Sequence, residues 1–167
     1  MRRIHVVLGT LAAIAVVVGI GAASGGARSG SRTLVTYEVE GSRGFNFVDA
    51  RPRSPRPDPA SPAFRTSTGD QLTVASDVRT RGGRRLGSLL EQFTVEQGGK
   101  LEESTSLAHA VLRLARGDIV ASGAFSGESS TLAVVGGTGR YKGARGTLTH
   151  GAENARGIAK VTVRLLP

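Results

Sequence analysis

Ala133-Val134-Val135-Gly136-Gly137-Thr138-Gly139-Arg140-Tyr141-Lys142-Gly143-Ala144-Arg145-Gly146 is the stretch on which the fold turns. A dinucleotide fingerprint needs G-x-G-x-x-G, but Gly137, Gly139 and Gly143 are spaced G-x-G-x-x-x-G, and no helical pattern follows. A phosphate-binding Gly-Lys-Ser/Thr is also missing, so nucleotide binding is rejected. The glycines suit a strand exit that needs positive φ, followed by a loop passing close across the end of a sheet. Tyr141 is expected to plug that end.

Outward from this block the chain reads as short alternating apolar runs separated by Gly-containing turns, the pattern of an all-β meander. Val35, Tyr37 and Val39 alternate with Thr36, Glu38 and Glu40 in a strand over 34–40. Phe45, Phe47 and Val48 form a separate short apolar piece. Gly69-Asp70 opens a strand in which Leu72, Val74 and Val78 share a face, with a side-chain bond from Asp70 to the backbone of the turn. Strands follow over 86–96, 107–114, 119–125, 131–135, 144–150 and 158–165. The run 101–115 also admits an amphipathic helix, but its turn-rich neighbours and Ala110-Val111-Leu112 favour a strand. About eight strands at this spacing predict a closed barrel or a sandwich.

The chain begins with Arg2-Arg3 and an apolar run of 18 residues, Val6 to Ala23, and has no acidic residue before Glu38. Residues 1–23 therefore read as an export signal or N-terminal membrane anchor. Residues 24–32 are a Gly/Ser-rich spacer, and 33–167 form one domain with one core. Either form of leader places the domain outside the cytoplasm, secreted or at the cell surface. Membrane contact is then limited to an uncleaved leader. The absence of Cys excludes a thioether lipid anchor and disulfides. Export would leave His109 and His150 as the only imidazoles, so no metal site is expected.

Arginines cluster at Arg51, Arg53 and Arg56 and at Arg79, Arg81, Arg84 and Arg85, within a net charge of +9. Attraction to anionic polymers or lipid is one reading of them; solvated turns are the commoner meaning. No aromatic residue lies among them and Trp is absent, so nucleic acid is not an expected partner. Residues 51–62 hold all but one of the six prolines and read as an extended loop without regular structure. No G-x-S-x-G occurs, so a hydrolase has no support.

The glycine block resembles the signature of the allene oxide cyclase and dirigent families, in which Gly-Gly-x-Gly, an aromatic residue and a Gly/Ala-rich strand follow an apolar strand. The likeness extends backwards in order. It runs through Arg116-Gly117-Asp118-Ile119-Val120-Ala121-Ser122-Gly123, Arg85-Leu86-Gly87 and Gly69-Asp70 to Tyr37-Glu38-Val39-Glu40, which is similar to the first-strand Tyr-Glu-x-Asn of plant cyclases. The resemblance implies an eight-stranded antiparallel barrel that uses no cofactor and works by orienting an apolar or phenolic small molecule. It also implies homotrimers.

Residue by residue, Glu38 matches the glutamate that assists epoxide opening in the cyclases, while Glu40 replaces the neighbouring asparagine. A second asparagine falls at Ser76, a pocket cysteine at Phe93, and the arginine of the dirigent motif at Arg145. Glu38 and Arg145 are thus the catalytic candidates, with Glu40, Ser76, Glu91, Phe93 and Tyr141 as ligand-binding candidates.

Alternation alone leaves two faces open for Glu38. It either points into the lumen beside Glu40, as the resemblance implies, or faces solvent while Val35, Tyr37 and Val39 fill the core. Glu91 is in phase with Leu89, Phe93 and Val95, a pattern that points it into an apolar interior, but exposure near a strand end is the commoner meaning and the one expected here. His109, in phase with Val111 and Arg113, reads as packed or exposed. Three functions remain: a small-molecule carrier, a cofactor-free isomerase or cyclase, and a non-enzymatic surface barrel acting through its basic loops.

Overall fold

The computed structural model describes residues 30–51, 61, 63–100, 103–127 and 129–167. The leader, most of the spacer and most of the proline-rich loop lie outside them. Eight strands form a closed barrel in sequence order, each antiparallel to the next. They are β1 (Arg32–Val48), β2 (Gln71–Arg79), β3 (Arg85–Gln97), β4 (Thr105–Leu114), β5 (Gly117–Ser126), β6 (Ser130–Gly137), β7 (Gly146–His150) and β8 (Ile158–Leu165). Closure comes from β8 pairing with β1, from Arg32 opposite Leu165 to Val39 opposite Ile158.

The period-2 pattern sorts each strand into a lumenal and an outer row. Val74, Ser76 and Val78 face inward from β2, Leu89 and Glu91 from β3, Ala108, Ala110 and Leu112 from β4. Ile119, Ala121, Leu132, Val134, Leu148, Val161 and Val163 complete the main core. Strand β4 keeps this alternation throughout, which settles the helix-or-strand ambiguity of 101–115 for the strand.

The first strand differs from its sequence reading in its length. It runs unbroken from Arg32 to Val48 where a strand and a separate apolar piece were expected. The register against β2 shifts between Val39, opposite Asp77, and Gly44, opposite Ala75. A bulge thus absorbs the extra residues without ending the strand. Gly41, at φ +58°, permits the kink. Two hydroxyls mend the interrupted ladder: Ser76 Oγ accepts from Gly41 N–H at 3.0 Å and Ser42 Oγ from Asp77 N–H at 2.7 Å. Of the two faces that alternation left open, the inner one carries Thr36 and Glu38, which are fully buried while Val35, Tyr37 and Val39 are only partly so.

One end is closed by Phe47, Phe64, Leu72 and Val95, with the Phe47 and Phe64 rings edge to face at 5.1 Å. Asp70, fully buried, fixes the approach to this plug, its carboxylate accepting from Ala50 N–H at 2.9 Å and Ser67 N–H at 2.8 Å. At the other end β6 runs into the 3-10 turn Gly139–Tyr141. Arg140 N–H donates to Arg116 O and Thr138 N–H to Asp118 O, so the glycine block lies directly on the β4–β5 hairpin. A Cβ on Gly139, at φ +54°, would stand 2.4 Å from Arg116 O. Tyr141 is buried against the core, the plug expected of it.

Candidate functional site

Three strands aim ionisable side chains at one point in the lumen. Glu38 comes from β1, Glu91 from β3 and His150 from β7, with 0%, 4% and 8% of their surface exposed. His150 Nε2 and Glu38 Oε2 are 2.8 Å apart, and one donor-type atom from each of the three residues lies within 4.8 Å of the others. Glu38 Oε1 and His150 Nδ1 are buried without a hydrogen-bond partner. No Lys or Arg is among the buried residues described, so these groups have only one another for charge balance.

The wall beside them is half aromatic and half small. The His150 ring meets the Phe125 ring at 5.9 Å, and Phe125 meets Phe93 edge to face at 5.0 Å. Across β3, β4 and β5, Glu91 stands opposite Ala110 and Ala110 opposite Ala121, while Phe93 stands opposite Ala108 and Ala108 opposite Gly123. Short side chains therefore adjoin both the carboxyl group and the ring.

Electrostatics set the protonation of the cluster. Burial, then the charge of Glu38, pushes the Glu91 carboxyl up to about 8, with Glu40 adding to the rise and His150 opposing it. Burial alone would lower His150, but the Glu38 hydrogen bond and the charges of Glu91, Glu38 and Glu40 outweigh it and lift the imidazole to about 8. Near neutral pH, Glu91 is thus a carboxylic acid and His150 an imidazolium held by Glu38. Glu40, one inward step beyond Glu38, is solvent-accessible. Enough barrel wall stands around its carboxyl for desolvation, then Glu38, to raise it too.

Groups titrating near the working pH of a water-poor lumen suit proton donation and return, and fixed charges there act strongly on a developing charge. The same atoms, one imidazole nitrogen and two carboxylates, are also a ligand set for a divalent ion.

The other candidates sit around this centre or away from it. Phe93 is half-buried in the lumen wall, and Ser76, buried, is occupied by the bulge. Tyr141 closes the barrel end. Arg145 is exposed, and its guanidinium donates to Val135 O and Ala144 O, outside the cluster. Glu91 is buried, against the strand-end exposure expected of it, because its neighbours Val74 and Ala110 continue the lumenal row on both sides. His109 is exposed.

His150 is the member of the cluster that sequence reasoning did not single out. The usable signal was its phase with Leu148 on a strand whose other face is Thr147 and Thr149.

The family profile described as "Allene oxide cyclase barrel like domain" matches residues 57–165. No curated sequence matches the chain significantly. Among solved structures it is similar to one titled "Pyocyanin demethylase", with a TM-score of 0.64 and 17% identity over 80% of this chain and 99% of that one. A second is AbnU, titled an exo-specific intermolecular Diels-Alderase, with a TM-score of 0.59 and 14% identity over 81% and 98% of the two chains. A third is the pterocarpan synthase dirigent protein GePTS1, with a TM-score of 0.55 and 15% identity over 81% and 83%.

Proposed function

Because the chain belongs to the allene oxide cyclase barrel-like family, we propose that its lumen binds an apolar or phenolic small molecule and isomerises or cyclises it without a cofactor. The observation that carries this reading is the buried Glu38–His150–Glu91 cluster, whose components have no structural partner beyond one another. A substrate entering beside Phe93 and Phe125 meets an acid at Glu91 and a carboxylate at Glu38. Glu91 would protonate a heteroatom, and Glu38 would stabilise positive charge developing on the carbon framework. The substrate would lose a proton to the Glu38 carboxylate, and relay through the His150 imidazolium to the Glu91 carboxylate would restore the cluster, while the wall restricts the conformers that can react.

Native mass spectrometry of the protein from its own host, with organic extraction, tests this. The expected result is one small molecule per chain, with unconverted precursor accumulating on Glu38→Gln. A barrel that is empty and neither binds nor turns over aromatic or polyene compounds would sink the reading.

Export and self-association into trimers go with this proposal, supported by the leader pattern and the family resemblance respectively. Protease accessibility on intact cells and sedimentation of the purified chain test them; protection inside the cell, or a monomer at micromolar concentration, would count against each.

The other reading, a surface barrel acting through basic loops, leaves the buried cluster without a role. Part of the loop charge is also taken up internally, since Asp77 pairs with Arg85 at 2.8 Å and Arg79 at 3.6 Å.

A further inference from the structure

We infer that Glu38, Glu91 and His150 form a binding site for one divalent transition-metal ion. This goes beyond the small-molecule reading above and does not depend on it. The ion-loaded cluster could not act as an acid and base, so the ion would be an inhibitory occupant.

Four observations support the site. The three ligands sit on three different strands of a closed barrel, so their positions are set by paired backbone. Their donor atoms converge within 4.8 Å. Tetrahedral zinc with ordinary bond lengths separates its ligand atoms by about 3.3 Å, which these side chains reach by small torsional changes. Glu38 Oε1 and His150 Nδ1 are buried with no partner, Glu38 being wholly enclosed and His150 nine-tenths so. With the protons of Glu91 and His150 displaced, as ligation requires, the enclosed set carries two negative charges in a lumen lacking any buried Lys or Arg among the described residues, and one divalent ion offsets both.

One imidazole with two carboxylates suits Zn²⁺, Co²⁺, Mn²⁺ or Fe²⁺; the imidazole argues against Mg²⁺ and Ca²⁺. Glu40, accessible to solvent, follows Glu38 on the same face of β1, beside the bulge where the β1–β2 ladder is interrupted.

The test is titration of chelator-treated, full-length protein with Co²⁺, whose visible d–d bands report coordination, and with Zn²⁺ in competition. One equivalent of Co²⁺ with low-symmetry, nitrogen-containing coordination is expected, displaced by Zn²⁺. His150→Gln and Glu91→Gln should each weaken binding by at least about tenfold, since losing even an outer-shell partner of a metal site costs that much. Both variants replace a buried ionisable group by a neutral one of similar size, and circular dichroism checks their folding. The wild-type spectrum is informative even if a variant fails to fold. Absence of Co²⁺ binding, or binding that survives His150→Gln and so belongs to another histidine, overturns the site.

Discussion

Glu91→Gln is expected to stabilise the protein at pH 9 by about 2 kcal/mol or more and to flatten its pH profile. In the folded chain Glu91 is raised from 4.5 to about 8. Between those values the native state holds a proton that the unfolded chain has released. Unfolding is therefore favoured as pH rises, by about 1.4 kcal/mol per unit for a single group. His150, raised from 6.5 to about 8, acts with the same sign: its contribution is complete below 6.5 and is lost as pH rises through 8. The two effects coincide over pH 6.5–8, where wild-type stability should fall most steeply. The amide of the Glu91→Gln protein cannot ionise, so the variant keeps only the His150 part, itself reduced because the Glu91 charge helps to raise that imidazole. Urea midpoints at pH 5, 7 and 9 decide it. Parallel curves for the two proteins would show that Glu91 is not the buried acid.

Gly146→Ala should cost about 3 kcal/mol or more. Gly146 begins β7 at φ +145°, opposite Leu165 and Val134. A Cβ there would stand 1.9 Å from Arg164 O, a backbone atom of the neighbouring strand that cannot swing aside. Relief requires pulling β7 from β8, which moves Leu148 and His150 together. The same substitution at Gly143, at φ +75° but with nothing near its Cβ, meets only the backbone penalty and should cost about 1 kcal/mol. Thermal unfolding of the pair separates collision from conformational preference. Equal losses would mean that β7 does not approach β8 as closely as described.

The fold was legible because its punctuation is local. Gly137, Gly139 and Tyr141 mark the strand exit and plug, and Gly69-Asp70 and Arg81-Gly82-Gly83-Arg84 mark turns, each within a few residues of sequence. Glu38 was legible through the family resemblance but not through alternation, because Val35, Tyr37 and Val39 make the opposite face of β1 the more apolar one. The buried face is decided by Ala159, Val161 and Val78 across the ladder, and no short window contains them. Glu91 was misjudged for a different reason: it shares the apolar face of Leu89, Phe93 and Val95, but an ionisable group there was set at an exposed strand end because its lumenal partners Glu38 and His150 lie on other strands. His150 was missed because its partner lies 112 residues away, and a histidine at a strand end carries no mark of what faces it. The continuity of β1 was hidden by the bulge, whose Gly41-Ser42-Arg43-Gly44 reads locally as a turn.

The pairing of the first strand with the last also fixes when in the chain's history the cluster exists. Glu38 lies on β1 and His150 on β7, so the two sides of the seam meet only after β8 has been made and docked. Closing that long loop is the entropically slow step of a high-contact-order topology. Earlier species present two free edges and a half-built lumen, with Glu38 still in water. The unfavourable enclosure of charge is deferred to the last folding event, when apolar contact across the whole barrel is available to offset it. A chain stalled before β8 would carry open strand edges, the usual route to aggregation, but no perturbed acid.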